Sequence, residues 1–296
     1  MRKVASVDGI RAAQNSYLDA RPGAKTQRSD LILKVPAGQV VQLENQDVAE
    51  LWPYPDRTSD KYSRGVLGVD TGSEAYYGAA LLNLAGALNS GVGMVRYAGP
   101  VPRQLLVSKY PSATFGEGRV QAWLVGSGWG AADNARLARR IADGVPMVVD
   151  AEAIASIGDA KLPENSLLTP HAGELARALG VERAEVEADP IGHAKAAAQK
   201  FGATVLLKGA TQYVSDGESV VLAVPGSPWT AQAGSGDVLA GICGTLLAAM
   251  TERYPTILIG ALAASIQAIA ASANLGPFPP DRAASQLPGV IGGLAG

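Results

Sequence analysis

Gln232-Ala233-Gly234-Ser235-Gly236-Asp237-Val238-Leu239-Ala240-Gly241 is the stretch around which this chain is organised. Small residues lead into an acid, and the acid into an apolar run with helical spacing. The first amides of a helix lack intrahelical partners and carry partial positive charge, and glycines let an anion approach them closely. The stretch therefore reads as a loop-to-helix anion site, with a structural turn as the plainer alternative. Asp237 has two readings here: the N-cap of the helix, or a base aimed at a hydroxyl beside a bound phosphate. Along the helix, Gly241, Gly244, Thr245 and Ala248 form a stripe of small residues. Val238, Leu239, Ile242, Leu246 and Met250 form an apolar face. The thin stripe predicts a helix lying close to a sheet, with its N-terminus rigidly seated.

Outward from that helix, short apolar strands alternate with helical segments. Strands are expected at Val66–Val69, Gly91–Tyr97, Gln121–Val125, Pro146–Asp150, Ser166–Leu168 and Thr204–Lys208. Helices are expected over Ala75–Asn89, about 132–142 and Ala194–Phe201, with another opened by Thr169 as cap and Pro170 as first residue. Asp216-Gly217 between Tyr213–Ser215 and Ser219–Val224 predicts a hairpin. The strands are continuous apolar runs, not alternating ones, which indicates a mostly parallel sheet with helices on both faces. Ligands bind at the carboxyl edge of such sheets. Loops at Asp70–Gly72, Gly126–Gly130, Thr169–Gly173 and Lys208–Thr211 all follow strands. Toward the N-terminus, a short helix at Arg11–Lys25, a strand at Asp30–Val35 and a proline-punctuated linker at Trp52–Asp56 are the expected features.

Individual residues in these loops carry competing readings. Lys208 ends a buried strand and either reaches a nucleotide phosphate or lies solvated before the hairpin. His171 either hydrogen-bonds a substrate or is a loop histidine at a helix start. Asp150 either positions a metal or caps the helix at Ala151, and capping is the favoured reading. Glu174 either helps hold a metal or sits in a first helical turn, where an acid is favoured anyway. Gly126-Ser127-Gly128-Trp129-Gly130 lacks dinucleotide-fingerprint spacing. His193 reads as incidental, and Cys243 as a buried small side chain.

Composition narrows the class. The chain has 296 residues, 47% of them hydrophobic, and a formal net charge of -2. This suits one α/β domain of about 250 residues with an extension, or two small domains. The near-neutral charge argues against a nucleic-acid partner. One cysteine excludes a disulfide framework and fits a reducing cytoplasm. Two histidines and that cysteine, far apart, form no zinc constellation. No apolar run is long enough to span a bilayer, and no signal-peptide core follows Met1.

Taken together, the motifs carry a resemblance. Gly234-Ser235-Gly236-Asp237 resembles the anion hole and catalytic acid of the ribokinase-like superfamily, with Ser235 where threonine is usual. Thr169-Pro170-His171-Ala172-Gly173-Glu174, Lys208-Gly209-Ala210-Thr211, Tyr77-Gly78-Ala79-Ala80-Leu81 and Lys61–Val69 leading into Gly72-Ser73 are similar to those of the nucleotide-dependent NAD(P)H-hydrate dehydratases. The match covers roughly residues 46–296 in the family's order. Asp70-Thr71-Gly72-Ser73 departs mildly from the family's paired glycine before the serine. The resemblance implies a ribokinase-like fold and repair of damaged cofactor. The S epimer of NADH or NADPH hydrate would be phosphorylated on the ring hydroxyl by ADP or ATP with Mg²⁺. Loss of phosphate would then restore the double bond. It implies Asp237 as the base, amides of Gly234, Ser235 and Gly236 holding the phosphoryl charge, and Lys208, Gly209, Ala210, Thr211, Gln212 and Gly236 holding the nucleotide. Ala79, Gly128, His171 and Asp237 would contact the hydrate. The metal ligands are left open, Glu174 among the candidates. It also implies a homotetramer. Residues 1–45 are expected to be an extension, a remnant of a fused epimerase domain or a docking segment, too short to be such a domain. No epimerase activity is expected. A small-molecule kinase of the same superfamily, or a nucleotide-binding module that has lost catalysis, are the alternatives.

Overall fold

The computed structural model describes residues 37–274 and 276–295. The expected helix at Arg11–Lys25 and strand at Asp30–Val35 lie outside the described residues. In chain order the elements are β1 (Val40–Gln42), α1 (Asn45–Leu51), β2 (Val66–Asp70), α2 (Tyr77–Asn89), β3 (Met94–Tyr97), α3 (Arg103–Lys109), β4 (Thr114–Phe115) and β5 (Ala122–Val125). There follow α4 (Asn134–Ile141), β6 (Met147–Val149), α5 (Glu152–Ala155), β7 (Leu167–Leu168), α6 (Ala172–Leu179), α7 (Arg183–Ala188) and α8 (Pro190–Phe201). The chain closes with β8 (Thr204–Leu207), β9 (Tyr213–Ser215), β10 (Val220–Leu222), α9 (Ser235–Met250), α10 (Thr256–Ser272) and α11 (Pro280–Leu294).

The ten strands of the described residues form one sheet in the order β1-β10-β9-β8-β7-β6-β5-β2-β3-β4. Every pairing is parallel except those of β9 with β8 and β10. The mostly parallel α/β sheet expected from the apolar runs is the one observed. Helices cover both faces. Leu67, Val69, Leu124 and Val148 pack on one side with α2, α9 and α10. Val66, Trp123, Val125, Met147 and Val149 pack on the other with α4, α5, α6 and α8. Successive strand residues point to opposite faces, so a strand buried on both sides must be apolar throughout.

The chain runs β2 to β3 to β4 on one side and then crosses to put β5 on the other side of β2. This reversal opens a crevice at the carboxyl ends of β2 and β5. Its two loops are tied together. Gly72 N donates to Ser127 O (2.8 Å) and Trp129 Nε1 donates to Asp70 O (2.8 Å). Asp70 is buried and accepts from Arg136 (Nη2, 2.5 Å) and Arg140 (Nε, 2.7 Å), one turn apart on α4. The two guanidinium groups lie over the rings of Trp129 and Trp123.

Several local expectations need correction. Thr169 does not cap a helix and Pro170 is not its first residue. α6 begins at Ala172, and His171 is the cap. The hairpin loop holds four residues, 216–219, because Ser215 pairs with Val220. Asp216 Oδ1 accepts from the amides of Glu218 and Ser219, closing the loop as an Asx turn. β1 lies on the extension side of the expected boundary at 45/46 yet pairs in register with β10, so the packed unit reaches back at least to Val40. The small-residue stripe of α9 faces mainly a helix rather than the sheet. A Cβ on Gly241 would land on the Asn83 carbonyl oxygen of α2 and 2.9 Å from Ala87 N, whereas one on Gly244 would meet the Leu67 side chain of β2 at 2.9 Å. Because α9 also packs on α10 and on β2, β5 and β6, it is buried nearly all round and has no separate apolar face.

Candidate functional site

α9 starts at a left-handed residue, Gly234 (φ 91°). A side chain there would be strained, and a Cβ would also press to 2.5 Å from Leu82 Cδ1. The turn sets Ser235, Gly236 and Asp237 as the first three helical residues, so Asp237 is inside the first turn and not the N-cap. Of the three amides expected to hold phosphoryl charge, that of Ser235 donates to Gln232 O (3.2 Å). Gln267 Nε2 of α10 donates to Ser235 O (2.8 Å), fixing the turn from the neighbouring helix.

Asp150 is the hub of the site. It is buried at the carboxyl end of β6. Its Oδ1 accepts from Lys208 Nζ (2.7 Å) and Thr169 Oγ1 (2.8 Å), and its Oδ2 from Ser127 Oγ (2.7 Å). The favoured helix-cap reading of Asp150 is therefore incorrect. The cap position belongs to Ala151, and the Asp150 carboxylate is held by three side-chain donors instead of helix amides. Lys208 is likewise not a solvated lysine: its side chain is 15% exposed, and Nζ also lies 3.9 Å from Glu174 Oε2. A Cβ on Gly236 would be 3.3 Å from that Nζ, which places the ammonium at the N-terminus of α9.

Asn83 of α2 links the two halves. Its Nδ2 donates to Asp237 O (2.8 Å) and to Ser127 Oγ (3.2 Å). Asn83 and Ser127 are the polar residues that sequence reasoning passed over, and Thr169, read there as a helix cap, bonds Asp150 instead. A polar residue inside the apolar pattern Leu82, Leu84, Ala85, Leu88 was the available signal for Asn83. Ser127, between two glycines, carried none.

The electrostatics follow from burial. The Asp237 carboxyl is pushed up to about 7, first by desolvation and then by the Asp150 charge, with Lys208 opposing. Burial would push the Lys208 ammonium down, but the Asp150 and Glu174 carboxylates outweigh it and the net shift is upward. Burial moves His171 down, against the pull of Glu174. His171 Nδ1 accepts from Gly173 N (3.0 Å) and Glu174 N (3.2 Å), and Glu174 Oε2 accepts from His171 N (2.8 Å), so each side chain caps the other's backbone. Cys243 is buried, and desolvation raises its thiol.

A cavity of about 580 Å³ opens over the start of α9. His171, Lys208, Gly209, Ala210, Gln212 and Gly236 line it together with Gly234 and Ser235; Thr211 does not. Pro228 and Thr230 form its far rim, beside the half-exposed Trp229. Ala79 and Gly128 are not part of this cavity. They adjoin each other across the crevice, where a Cβ on Gly128 would be 2.5 Å from that of Ala79, and they connect to Asp237 through Asn83 and Ser127. Among the described residues no group of three or more His, Cys, Asp or Glu can hold a metal ion, and no helix is long and apolar enough to cross a membrane. The arrangement is suited to moving a proton at Asp237 while Lys208 and the helix N-terminus attract negative charge.

Comparison with known proteins gives a consistent result. A family model described as NAD(P)H-hydrate dehydratase matches residues 67–288. The bifunctional NAD(P)H-hydrate repair enzyme Nnr of Mycobacterium leprae is 41% identical over 235 residues, covering 74% of this chain and 48% of that protein. The chain thus spans about half the length of the curated relatives it matches. Among solved structures, the ADP/ATP-dependent NAD(P)H-hydrate dehydratase of Bacillus subtilis, co-crystallised with ATP and Mg²⁺, superposes with a TM-score of 0.76 at 23% identity, covering 85% of this chain and 97% of that one. A ribokinase-like superfamily protein of Enterococcus faecalis superposes with a TM-score of 0.77 at 22% identity, covering 86% and 96%. These two likenesses establish the ribokinase-like fold.

Proposed function

The chain belongs to the NAD(P)H-hydrate dehydratase family, and from that premise we propose that it converts the S epimer of NADH or NADPH hydrate back to the reduced dinucleotide at the expense of ADP or ATP. The observation that carries this reading is the Asp237 carboxyl, raised to about 7 beside Lys208 at the N-terminus of α9. A base with that affinity for protons is matched to neutral pH.

In this mechanism Asp237 takes the proton of the ring hydroxyl as its oxygen attacks the terminal phosphoryl group of the nucleotide. The bond to the nucleotide leaving oxygen breaks, giving AMP from ADP or ADP from ATP. Lys208 and the free amides at the start of α9 hold the charge that spreads over the phosphoryl oxygens. The phosphate ester then leaves with the carbon–oxygen bond electrons while the neighbouring ring carbon loses a proton, and the ring double bond returns. Lys208, Gly209, Ala210, Gln212 and Gly236 hold the nucleotide in the large cavity, with Thr211 shaping the loop behind it. Ala79, Gly128 and His171 contact the hydrate. Asp150 keeps Lys208 in place and, through Ser127 and Asn83, ties the two regions together.

Mg²⁺ fits the donor set as an ion carried mainly by phosphate oxygens. Glu174, with Oε1 3.4 Å from His171 Nε2, keeps a carboxylate oxygen that would serve as a protein ligand. When bound, the ion neutralises phosphate charge. The ADP/ATP dependence of the Bacillus subtilis protein supports the choice of nucleotide. A homotetramer in the cytoplasm is part of the same reading, and light scattering tests the assembly.

The deciding experiment incubates the chain with each hydrate and ADP. Recovery of reduced-nicotinamide absorbance with one AMP and one phosphate per turnover is expected. A stable phosphorylated product would identify a small-molecule kinase instead. Thermal stabilisation by ADP with no turnover would identify a silent nucleotide-binding module.

A further inference from the structure

Among the buried residues of α2 only Asn83 is polar. Its Oδ1 is shielded from solvent and has no hydrogen-bond partner among the described residues. An unpaired amide oxygen in the interior lowers stability, so packing alone does not account for an amide at this place. What the amide does is carried by its nitrogen. Nδ2 donates to Asp237 O (2.8 Å) and to Ser127 Oγ (3.2 Å). The Ser127 hydroxyl gives its own hydrogen to Asp150 Oδ2 (2.7 Å), so toward Asn83 it can only accept. That fixes which way the amide faces.

The first turn of α9 is thus held at two points, from two helices. Gln267 of α10 holds Ser235 O (2.8 Å), on the side of the nucleotide cavity that Gln267 itself lines. Asn83 of α2 holds Asp237 O, on the side of the crevice. Ala79 lies one helical turn before Asn83 on the same face of α2. Gly128 follows Ser127 in the chain and adjoins Ala79 in space. One amide therefore braces the backbone of Asp237 against both residues assigned to the hydrate in the crevice. The crossing has little slack, because a Cβ on Gly86 would strike the backbone of α9 and one on Gly241 the backbone of α2. Asn83 is 0% exposed, so no substrate reaches it and its action passes through Asp237.

We propose that Asn83 is a positioning residue for the phosphoryl-transfer step. Its Nδ2, shared between Asp237 O and Ser127 Oγ, sets Asp237 at the depth where the carboxylate meets the ring hydroxyl of a hydrate held by Ala79 and Gly128. The inference rests on the dehydratase reading above. Misplacing a reacting group by about 1 Å costs about 100-fold in rate. Nucleotide binding depends instead on the side of the turn that Gln267 keeps.

The test compares Asn83→Ala and Asn83→Leu with wild type in steady-state repair of NADH hydrate with ADP. Alanine removes the amide and leaves space, whereas leucine removes it and fills the space, so a loss common to both reports on the amide. In both variants kcat falls by about 100-fold. The KM for ADP and its calorimetric Kd stay within about threefold of wild type. Each kcat is taken per ADP-binding site, so unfolded chains do not count. A kcat within about threefold of wild type in either variant overturns the proposal, as does a loss of activity that appears as a raised KM for ADP. Fewer or no ADP sites, with kcat per remaining site unchanged or unmeasurable, marks a purely structural role and also overturns it. Each of these outcomes leaves the dehydratase reading intact, because the wild-type chain still repairs the hydrate. A wild-type chain that repairs neither hydrate overturns both.

Discussion

Gly241→Ala tests the placement of α9. The added Cβ would clash with the Asn83 carbonyl oxygen and approach Ala87 N to 2.9 Å. Both obstacles are backbone atoms of α2, and neither can swing aside. Restoring an ordinary carbon–oxygen contact of about 3.3 Å requires the two helices to part by roughly 1 Å. Alanine gains about 1 kcal/mol over glycine in helix propensity. Against that gain, overpacking costs about 3 kcal/mol when the surroundings are rigid. Parting the helices also stretches Thr245 Oγ1 to Ala87 O (3.1 Å) and Asn83 Nδ2 to Asp237 O (2.8 Å), each contributing about 1 kcal/mol. The packing loss wins, and a net destabilisation of about 2–4 kcal/mol is expected in urea unfolding. The same movement displaces Asp237, so kcat/KM for hydrate repair falls by about 100-fold. Gly244→Ala is the matched control. Its Cβ meets only the methyl ends of Leu67 at 2.9 Å, which can rotate, so the stability loss is under about 1 kcal/mol and activity is kept. Wild-type stability and activity in Gly241→Ala, or equal losses in both variants, would refute the reasoning.

Other perturbations probe the site's charges and its scaffold. Asp237→Asn keeps ADP binding in calorimetry but lowers turnover by about 10³-fold or more; near-normal turnover removes Asp237 from the base role. Because the base works deprotonated, log(kcat/KM) rises with pH and levels off above about 7; Asp150→Asn removes a neighbouring negative charge and moves this limb to lower pH, and a limb that stays in place or rises contradicts the assignment. The folded state holds the Asp237 proton more tightly than the unfolded chain does, so this group's contribution to stability is full below the ordinary carboxyl value of 3.8 and is lost as pH rises through about 7; Asp237→Asn is accordingly more stable than wild type at pH 8 and not at pH 4, by thermal unfolding at each pH. Asp70→Asn removes the charge that pairs with the partly buried Arg136 and the buried Arg140, of which Arg140 keeps Glu117, and costs about 3 kcal/mol in urea unfolding.

Much of the fold was legible because its strands are buried on both faces. The apolar runs at Val66–Val69, Gln121–Val125 and Thr204–Lys208 need no alternation to decode, and each lies on an observed strand. Helix starts were less legible. Thr169-Pro170 has cap chemistry, yet Thr169 Oγ1 is committed to Asp150 and Pro170 O accepts from Lys208 N, continuing the sheet, so the cap of α6 falls two residues later, at His171. β1 escaped notice because a three-residue edge strand has too little pattern to stand out and is defined only by its partner β10.

The sequence by itself determined the local chemistry of this protein: a glycine turn entering a helix, an acid at the helix start, a lysine ending a strand and a parallel α/β alternation. Each follows from backbone sterics, orphan amides and periodicity, which act over a few residues. Only the tertiary structure decided the surroundings of Asp150 and Asp237. Residues 70, 83, 127, 150, 169, 208 and 237 are brought together by sheet order, and the switch between β2 and β5 has no local signature. Asp150 reads as a helix cap until Ser127, Thr169 and Lys208 arrive from three other elements to claim its oxygens. Asp237 reads as an N-cap or a base until the fold sets it inside the first turn, where burial and the Asp150 charge move its proton affinity to about 7. Desolvation and charge coupling depend on distances between elements, and those exist only once the chain is folded.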